Sequence, residues 1–217
     1  MTSLTAETII VGAGVGGCAA ALALARAGRR VILTEEFAWI GGQFTSQAVP
    51  PDEHGWIERF GCTASYREFR DHVRAYYRAH YPLKPEHRDD PRLNPGNGWV
   101  SPLCHEPRVA LAVLEALLAP YVSRGRVLIL RRHVLVGVEL AAPETVAAVI
   151  VRDLDGGGET RLAAPWFLDA TENGDLLPVG RRLHGPHGGN RLQLDPIRFR
   201  RGIQLHEASG AFSRPAR

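Results

Sequence analysis

Cysteine is scarce in this sequence and lysine nearly absent: the 217 residues hold three cysteines and, among 26 basic residues, a single lysine, Lys84. Cys18, Cys62 and Cys104 form no C-x-x-C pair, so neither a disulfide framework nor a redox-active dithiol is spelled out, and thiols in a reducing cytosol are expected. Adjacent Cys104 and His105 have no second ligand pair at a fitting distance, so no metal site is expected. Long hydrophobic runs are also missing. The apolar stretch from residue 9 to 28 is broken by glycines and then by Arg26, Arg29 and Arg30, and Met1 to Ala6 carries no basic leader region. Neither a membrane span nor a signal peptide is expected, and the expected location is cytoplasmic. What the chain does have is 45% hydrophobic residues, enough at this length for a full domain core.

The formal charge of +3 is unevenly placed. From Arg181 onward eight arginines face only Asp195 and Glu207, so the basicity belongs to the tail and the rest of the chain is net acidic. Clustered arginines can neutralise nucleic-acid phosphates. No interleaved aromatic platform or binding motif accompanies them, so nucleic acid is not the expected partner.

Strand-like Thr8-Ile9-Ile10-Val11 runs into Gly12-Ala13-Gly14-Val15-Gly16-Gly17, and the small residues Ala21, Ala25 and Gly28 follow. A G-x-G-x-x-G run between a β-branched strand and a small-residue helix reads as a phosphate cradle for a dinucleotide. Gly12 permits the tight turn, Gly14 lets the backbone approach a pyrophosphate, and Gly17 lets the helix lie close to the strand. The helix N-terminus then offers free N–H groups to the anion. A second strand, Arg30 to Thr34, ends at Glu35, about 20 residues beyond the turn, where an acid binds a ribose 2′-OH. An acid there would repel the 2′-phosphate of NADP, which leaves FAD or NAD.

Further along, Trp39 to Gln47 is a loop whose Gly41-Gly42 pair presents no Cβ to a close ligand. Residues 48 to 63 read as loop, and a helix is expected from Ser65, with Glu68 at capping-box spacing. Tyr66, Phe69, Val73 and Tyr77 share one face of it, and Arg67, Arg70, Arg74 and Arg78 share another, most simply a solvated stripe. Pro82 to Pro107 is crowded with proline, glycine and asparagine and reads as a long irregular connection. Pro107 suits the first turn of a helix that repeats Val109, Val113, Leu117 and Tyr121 and ends near Gly125. Strand runs are expected at 127 to 130 continuing into 134 to 140, at 145 to 152 and at 160 to 163, with Asp155 to Gly158 as a hairpin turn. Trp166-Phe167-Leu168 then enters Asp169-Ala170-Thr171.

This layout, with the pieces W-I-G-G-Q-F-T-S-Q, L-C-H-E-P-R-V and D-A-T-E-N-G-D-L-L-P, resembles the FAD-dependent oxidoreductases with a glutathione-reductase-type nucleotide-binding fold, and an uncharacterised bacterial branch of them in particular. The resemblance spans about residues 7 to 179. It implies an α/β Rossmann-like domain: a parallel sheet with helices on one side and a small antiparallel β element on the other. It implies FAD as cofactor, with Gly12, Ala13, Gly14 and Gly17 at the pyrophosphate, Glu35 at the adenosine ribose, and Gly41, Gly42 and Gln43 along the flavin side. Val134 matches the strand residue whose backbone pairs with adenine. Ala170 and Thr171 match the A-T of a second motif, and Asp175 its following acid; Glu172 stands where many relatives have glycine.

The implied reaction is hydride transfer between a small organic substrate, unknown in identity, and flavin N5. Gln43, Gln47, His54, Cys62 and His105 lie in loops that border the flavin in such a fold, and Gln47, Cys62 and His105 are the catalytic candidates. The resemblance further implies a longer protein, so that residues 1–179 read as the N-terminal part of an FAD-binding domain, with 46–104 as an insertion bordering the flavin and a second chain as a way to complete the site. The alternatives are a truncated, non-catalytic product that binds cofactor weakly or not at all, and an NAD-binding Rossmann module. Residues 180–217 lack any period of 2 or 3.6 and have the arginine-, glycine- and proline-rich composition of misread GC-rich DNA. They are expected to be a frame-shifted or otherwise aberrant basic tail without fixed structure.

Overall fold

The computed structural model describes residues 2–142 and 145–177. The basic tail lies outside the described residues. The chain runs β1 (Thr2–Thr5), β2 (Thr8–Val11), α1 (Val15–Arg26), β3 (Val31–Glu35), a 3-10 turn at Gly42–Phe44, α2 (Ala64–His80), α3 (Pro85–Arg88), α4 (Pro107–Ser123), β4 (Val127–Arg131), β5 (His133–Ala142), β6 (Thr145–Asp153), β7 (Glu159–Ala163) and β8 (Trp166–Asp169).

One sheet is wholly parallel, in the order β4-β3-β2-β8. Its strands are short but covered on both faces, which is why T-I-I-V and V-I-L-T-E read as unbroken apolar runs and not as alternating ones. Side chains still alternate: Ile10, Val31 and Leu33 face a core built with α1, α2 and α4, including Leu22, Val73, Val113 and Leu118. Ile9, Val11 and Ile32 face the second sheet through Val138, Val149, Val151 and Leu162. At about 1.5–3 kcal/mol for each fully buried aliphatic side chain, this two-sided burial is the main reason four-residue strands hold their register. The expected α/β architecture, with helices on one side of a parallel sheet and a β element on the other, is the one the protein has.

The second sheet differs in two respects from the sequence-based expectation. It is mixed, in the order β1-β7-β6-β5, because the N-terminal strand β1, absent from the sequence reading, pairs in parallel with β7. Thr2 to Thr5 is mostly exposed and has no apolar alternation to announce it. The run 127 to 140 is also two strands and not one. Arg132, at φ +59°, takes the chain out of the parallel sheet after β4 and into the second sheet as β5.

α2 starts one residue earlier than expected, and the cap is Thr63, whose hydroxyl accepts the Tyr66 N–H at 3.2 Å. Glu68 is not part of a capping box; it pairs with Arg26 of α1 at 2.6 Å on the surface. The larger correction concerns the arginine stripe, which is not solvated. Arg70 and Arg74 are buried, Arg70 completely, because the 48–63 segment folds over this face of α2 and brings Glu53 and Glu58 onto it. Arg74 and Arg78 also donate to carbonyls of Leu93, Arg88 and Asp90 in the irregular 82–107 connection. Guanidinium groups thereby satisfy loop backbone that no strand or helix pairs.

Burial opposes ionisation of Glu58, but hydrogen bonds from Arg70 and Arg74 outweigh it and lower its carboxyl from 4.5 to about 2. Across that interval the folded protein binds fewer protons than the unfolded chain, so this stabilisation is complete above pH 4.5 and is lost as pH falls toward 2. In urea titrations from pH 5 to about 2, Glu58→Gln is expected to be less stable than wild type at pH 5 and to lose less on acidification. Equal slopes for both proteins would remove Glu58 from the acid response.

Candidate dinucleotide site

Three loops meet at the carboxyl ends of β2, β3 and β8. The first is the glycine turn. Gly12 has φ +95°, and a Cβ on it would lie 2.6 Å from the Ala170 carbonyl oxygen, so the end of β8 passes directly against it. A Cβ on Gly17 would overlap the Gly12 carbonyl, which is the close helix–strand approach the sequence anticipates. Gly14 and Gly16 are different. Among the described residues, a Cβ at Gly16 would meet nothing within 4 Å, and one at Gly14 only Glu172 Oε1 at 3.8 Å. The turn therefore packs on protein at Gly12 and Gly17 and faces open space at Gly14 and Gly16.

Gly14 is also the N-cap of α1. Among the described residues no side chain caps the helix, and its first turn carries no acid, so the N-terminal N–H groups of α1 can accommodate an anion. The first helical hydrogen bond is Cys18 N–H to Gly14 O at 2.9 Å. The Cys18 thiol donates to Ala13 O, and burial pushes it up to about 12, so it contributes packing and not reactivity.

Glu35 ends β3 buried, with Oε2 accepting the Ala13 N–H and Oε1 the Phe37 N–H, each at 3.0 Å. Burial raises its carboxyl above the usual range, against those two backbone hydrogen bonds. The acid is thus tied to the glycine turn itself. Across the sheet Glu35 is paired with Arg131, after which the chain crosses to Val134 on β5, the edge strand of the second sheet.

The second loop is Trp39 to Gln47. The Gly41 N–H donates to Ala13 O at 2.7 Å, and a Cβ on Gly42 would sit 3.1 Å from Gly14 Cα. This loop stacks on the glycine turn. The Cβ side of Gly41 is filled by protein: at φ +103° its missing Cβ would meet Leu114 Cδ1 at 2.5 Å and Thr45 Cγ2 at 2.8 Å. Its glycine is required by backbone geometry and by packing on α4. Gln43 is half-buried, with its amide 3.5 Å from Pro50 O.

The third loop follows β8. Ala170 N–H donates to Val11 O at 2.8 Å, which carries the strand pairing past Asp169. The Thr171 hydroxyl donates to Asp169 Oδ1 at 2.7 Å and accepts the Asp175 N–H at 2.7 Å, while Asp169 Oδ2 accepts the Leu176 N–H. Asp169, which motif reading passes over, organises this loop; its signal is an acid two residues before a hydroxyl-bearing residue at a strand end. Asp175 itself is exposed. Gln47 and Glu172 join the second and third loops, Nε2 to Oε1 at 3.0 Å.

The remaining candidates lie outside this junction. His105 stands edge-on to Phe44 and Phe69, with ring centroids 6.0 Å from each. Its Nδ1 is 3.2 Å from Glu106 O, and its Nε2 is buried without a partner among the described residues. Burial lowers its pKa from the ordinary histidine value, which favours the neutral ring. Phe44 belongs to the 3-10 turn that follows Gly41, so His105 reaches the glycine junction through that ring. His54 is engaged in its own loop: Nδ1 accepts the Trp56 N–H at 3.1 Å and Nε2 faces Gly61 O at 3.3 Å. Cys62 is half-buried, one residue before the α2 cap. Among the described residues there is no cluster of three or more His, Cys, Asp or Glu able to hold a metal ion, and no helix long and apolar enough to cross a membrane.

A parallel sheet whose first β–α turn is glycine-lined, ends in an uncapped helix and is braced by an acid at the end of the next strand defines a dinucleotide-binding protein of the Rossmann type. Residues 7–182 match the sequence profile of the family described as FAD dependent oxidoreductase. The chain belongs to that family, and the family's cofactor is FAD. A comparison with curated proteins gave no match. Solved structures similar to this chain include the FAD complex of glycerol-3-phosphate dehydrogenase from Bacillus halodurans, at 15% identity and TM-score 0.49, covering 82% of this chain and 36% of that one. Thermovibrio ammonificans THI4 is similar at 16% identity and TM-score 0.48, covering 84% and 64%. L-proline dehydrogenase from P. horikoshii is similar at 17% identity and TM-score 0.43, covering 78% and 23%. The chain thus spans less than two thirds of each of these proteins.

Proposed function

We propose that this chain is the FAD-binding portion of an oxidoreductase, with residues 1–179 forming that portion and the Gly12–Gly17 turn holding the pyrophosphate. The observation that carries this reading is the convergence on Gly14: among the described residues its Cβ side meets only Glu172 Oε1, the helix it caps has no side-chain cap and no acid in its first turn, and Gly42 and Ala170 brace the turn from both flanks. The residues present fit a dinucleotide phosphate, with Glu172 as the exception. Bound FAD supplies the two-electron chemistry, accepting or giving hydride at N5 with a small organic substrate.

The chain's own residues then have separate tasks. The first-turn N–H groups of α1 bind the pyrophosphate oxygens, and Gly14 allows the approach. Glu35, held in place by the Ala13 and Phe37 amides, accepts from ribose hydroxyls and excludes a 2′-phosphate. Val134 offers backbone groups of an edge strand to the adenine. Gln43, Gln47 and the 46–104 segment border the flavin. Phe44 and Phe69 pack edge-on against His105, whose buried Nε2 can accept a proton; Cys62 is the second candidate in that segment.

The test is to denature the purified protein and identify what it releases. FAD, with flavin absorbance of the native protein, is the expected result. Release of NADP, or absence of any flavin binding after incubation with FAD, would overturn the assignment.

A further inference from the structure

The Glu172 carboxylate lies in the space that the cradle keeps open. Its Oε1 is 3.8 Å from where a Gly14 Cβ would be and 3.4 Å from where a Gly42 Cβ would be, and among the described residues beyond the turn's own neighbours it is the one atom within 4 Å on that side of Gly14. The residue is exposed. Gln47 Nε2 holds it at 3.0 Å, from the loop stacked on the same turn. The carboxylate stands beside Gly14, the N-cap of a helix without a side-chain cap, and a helix N-terminus favours negative charge.

We propose that Glu172, tethered by Gln47, is an internal anion that competes with the dinucleotide pyrophosphate and sets the affinity of the cradle. This rests on the reading that FAD binds at Gly12–Gly17. Two consequences follow from the geometry. Binding requires the Glu172 side chain to swing away from Gly14, breaking its bond to Gln47, because a pyrophosphate oxygen cannot share the space with a carboxylate oxygen. Once displaced, the carboxylate still sits on the exposed rim near the diphosphate, where like charges a few ångströms apart repel through partly aqueous surroundings. The pair therefore closes the empty cradle and weakens the filled one. Gln47 belongs to this device as a positioning residue.

The experiment is equilibrium binding of FAD, followed by flavin fluorescence, and of ADP, followed by calorimetry, to the 217-residue protein and its Glu172→Gln and Glu172→Ala variants. Both variants are expected to bind FAD and ADP about tenfold more tightly than wild type. Thermal melting without ligand should stay within a few degrees of wild type, since the side chain is exposed. FAD affinity that is unchanged or weaker in both variants would overturn the proposal, as would tightening for FAD without tightening for ADP, because the repulsion acts on the diphosphate both ligands share. Gly14→Val separates this from failure of the cradle itself. If the cradle is correct and the inference wrong, Gly14→Val loses FAD while Glu172→Gln does not tighten it. If the cradle is wrong, Gly14→Val leaves FAD affinity unchanged.

Discussion

Replacing Arg70 by methionine is expected to cost about 3–5 kcal/mol of folding stability, although a buried charge is exchanged for a side chain that packs readily. Arg70 has no exposed surface and engages two carboxylates at once: Nε and Nη2 reach Glu53 Oε1 and Oε2 at 2.7 and 3.1 Å, and Nη1 and Nη2 reach Glu58 Oε2 and Oε1 at 3.0 and 2.7 Å. Paired double hydrogen bonds of this kind are the strongest form of the Arg–carboxylate contact. The loss falls unevenly on the two acids. Glu58 keeps Arg74, at 2.6 Å, and is partly exposed, so it can recover water. The Glu53 side chain is 1% exposed and, among the described residues, is left with the Tyr66 hydroxyl at 2.6 Å, a single donor for a buried charge. The measurement is the urea midpoint at pH 7. Arg70→Met with Glu53→Gln should recover a substantial part of the deficit, a coupling that a double-mutant cycle reads directly. A loss under 1 kcal/mol in the single variant, or simple additivity in the pair, would contradict the assignment of Arg70 as the centre of this network. The network also fastens the segment bearing His54 and Cys62 to α2, so its loss should free that segment to protease before the sheet unfolds.

Gly14→Val is expected to abolish FAD binding, with Kd raised at least about a hundredfold, while the protein stays folded. The geometry separates this glycine from its neighbours. Gly14 has φ −60°, which any residue adopts, and among the described residues its Cβ position meets only Glu172 Oε1, at 3.8 Å. A branched side chain there fills only the space proposed for the pyrophosphate. At Gly12 the backbone demands φ +95° and the Ala170 carbonyl lies 2.6 Å from the added carbon. At Gly17 the added carbon would overlap the Gly12 carbonyl. Valine at those two positions should lower the melting temperature as well as the affinity, and so report nothing specific about the ligand. A melting temperature within a few degrees of wild type combined with lost flavin binding is the expected signature at Gly14. Unchanged flavin affinity in a folded variant would show that the cradle is elsewhere.

Much of this protein is legible in its sequence because the features concerned are local. The glycine turn, the acid ending β3, the Pro107 helix start and the hairpin at Asp155 to Gly158 are each specified within a few residues, where backbone conformation and small size decide the outcome. The family match agrees with what those segments resemble. Gly41 marks a limit of such reading. Its glycine was legible, but whether it serves a ligand or the packing of Leu114 depends on where α4 lies.

The arginines of α2 mark the same limit more sharply. Spacing places Arg67, Arg70, Arg74 and Arg78 on one face, but periodicity cannot say whether water or another part of the chain covers that face. The covering segment, 48–63, is irregular, and its acids Glu53 and Glu58 carry no period that would match them to partners 12 to 17 residues away. β1 escaped notice because a short exposed strand depends on the β7 edge it joins. Glu172 could be seen as an unusual residue after Ala170-Thr171, but not that Gln47, 125 positions distant, would hold it over Gly14. By itself, then, the sequence determined the class of fold, the glycine turn and the family, since those rest on backbone geometry within short segments. Only the tertiary structure decided which charges are buried, which glycines face open space and which acid stands over the cradle, because these depend on contacts between segments distant in the chain.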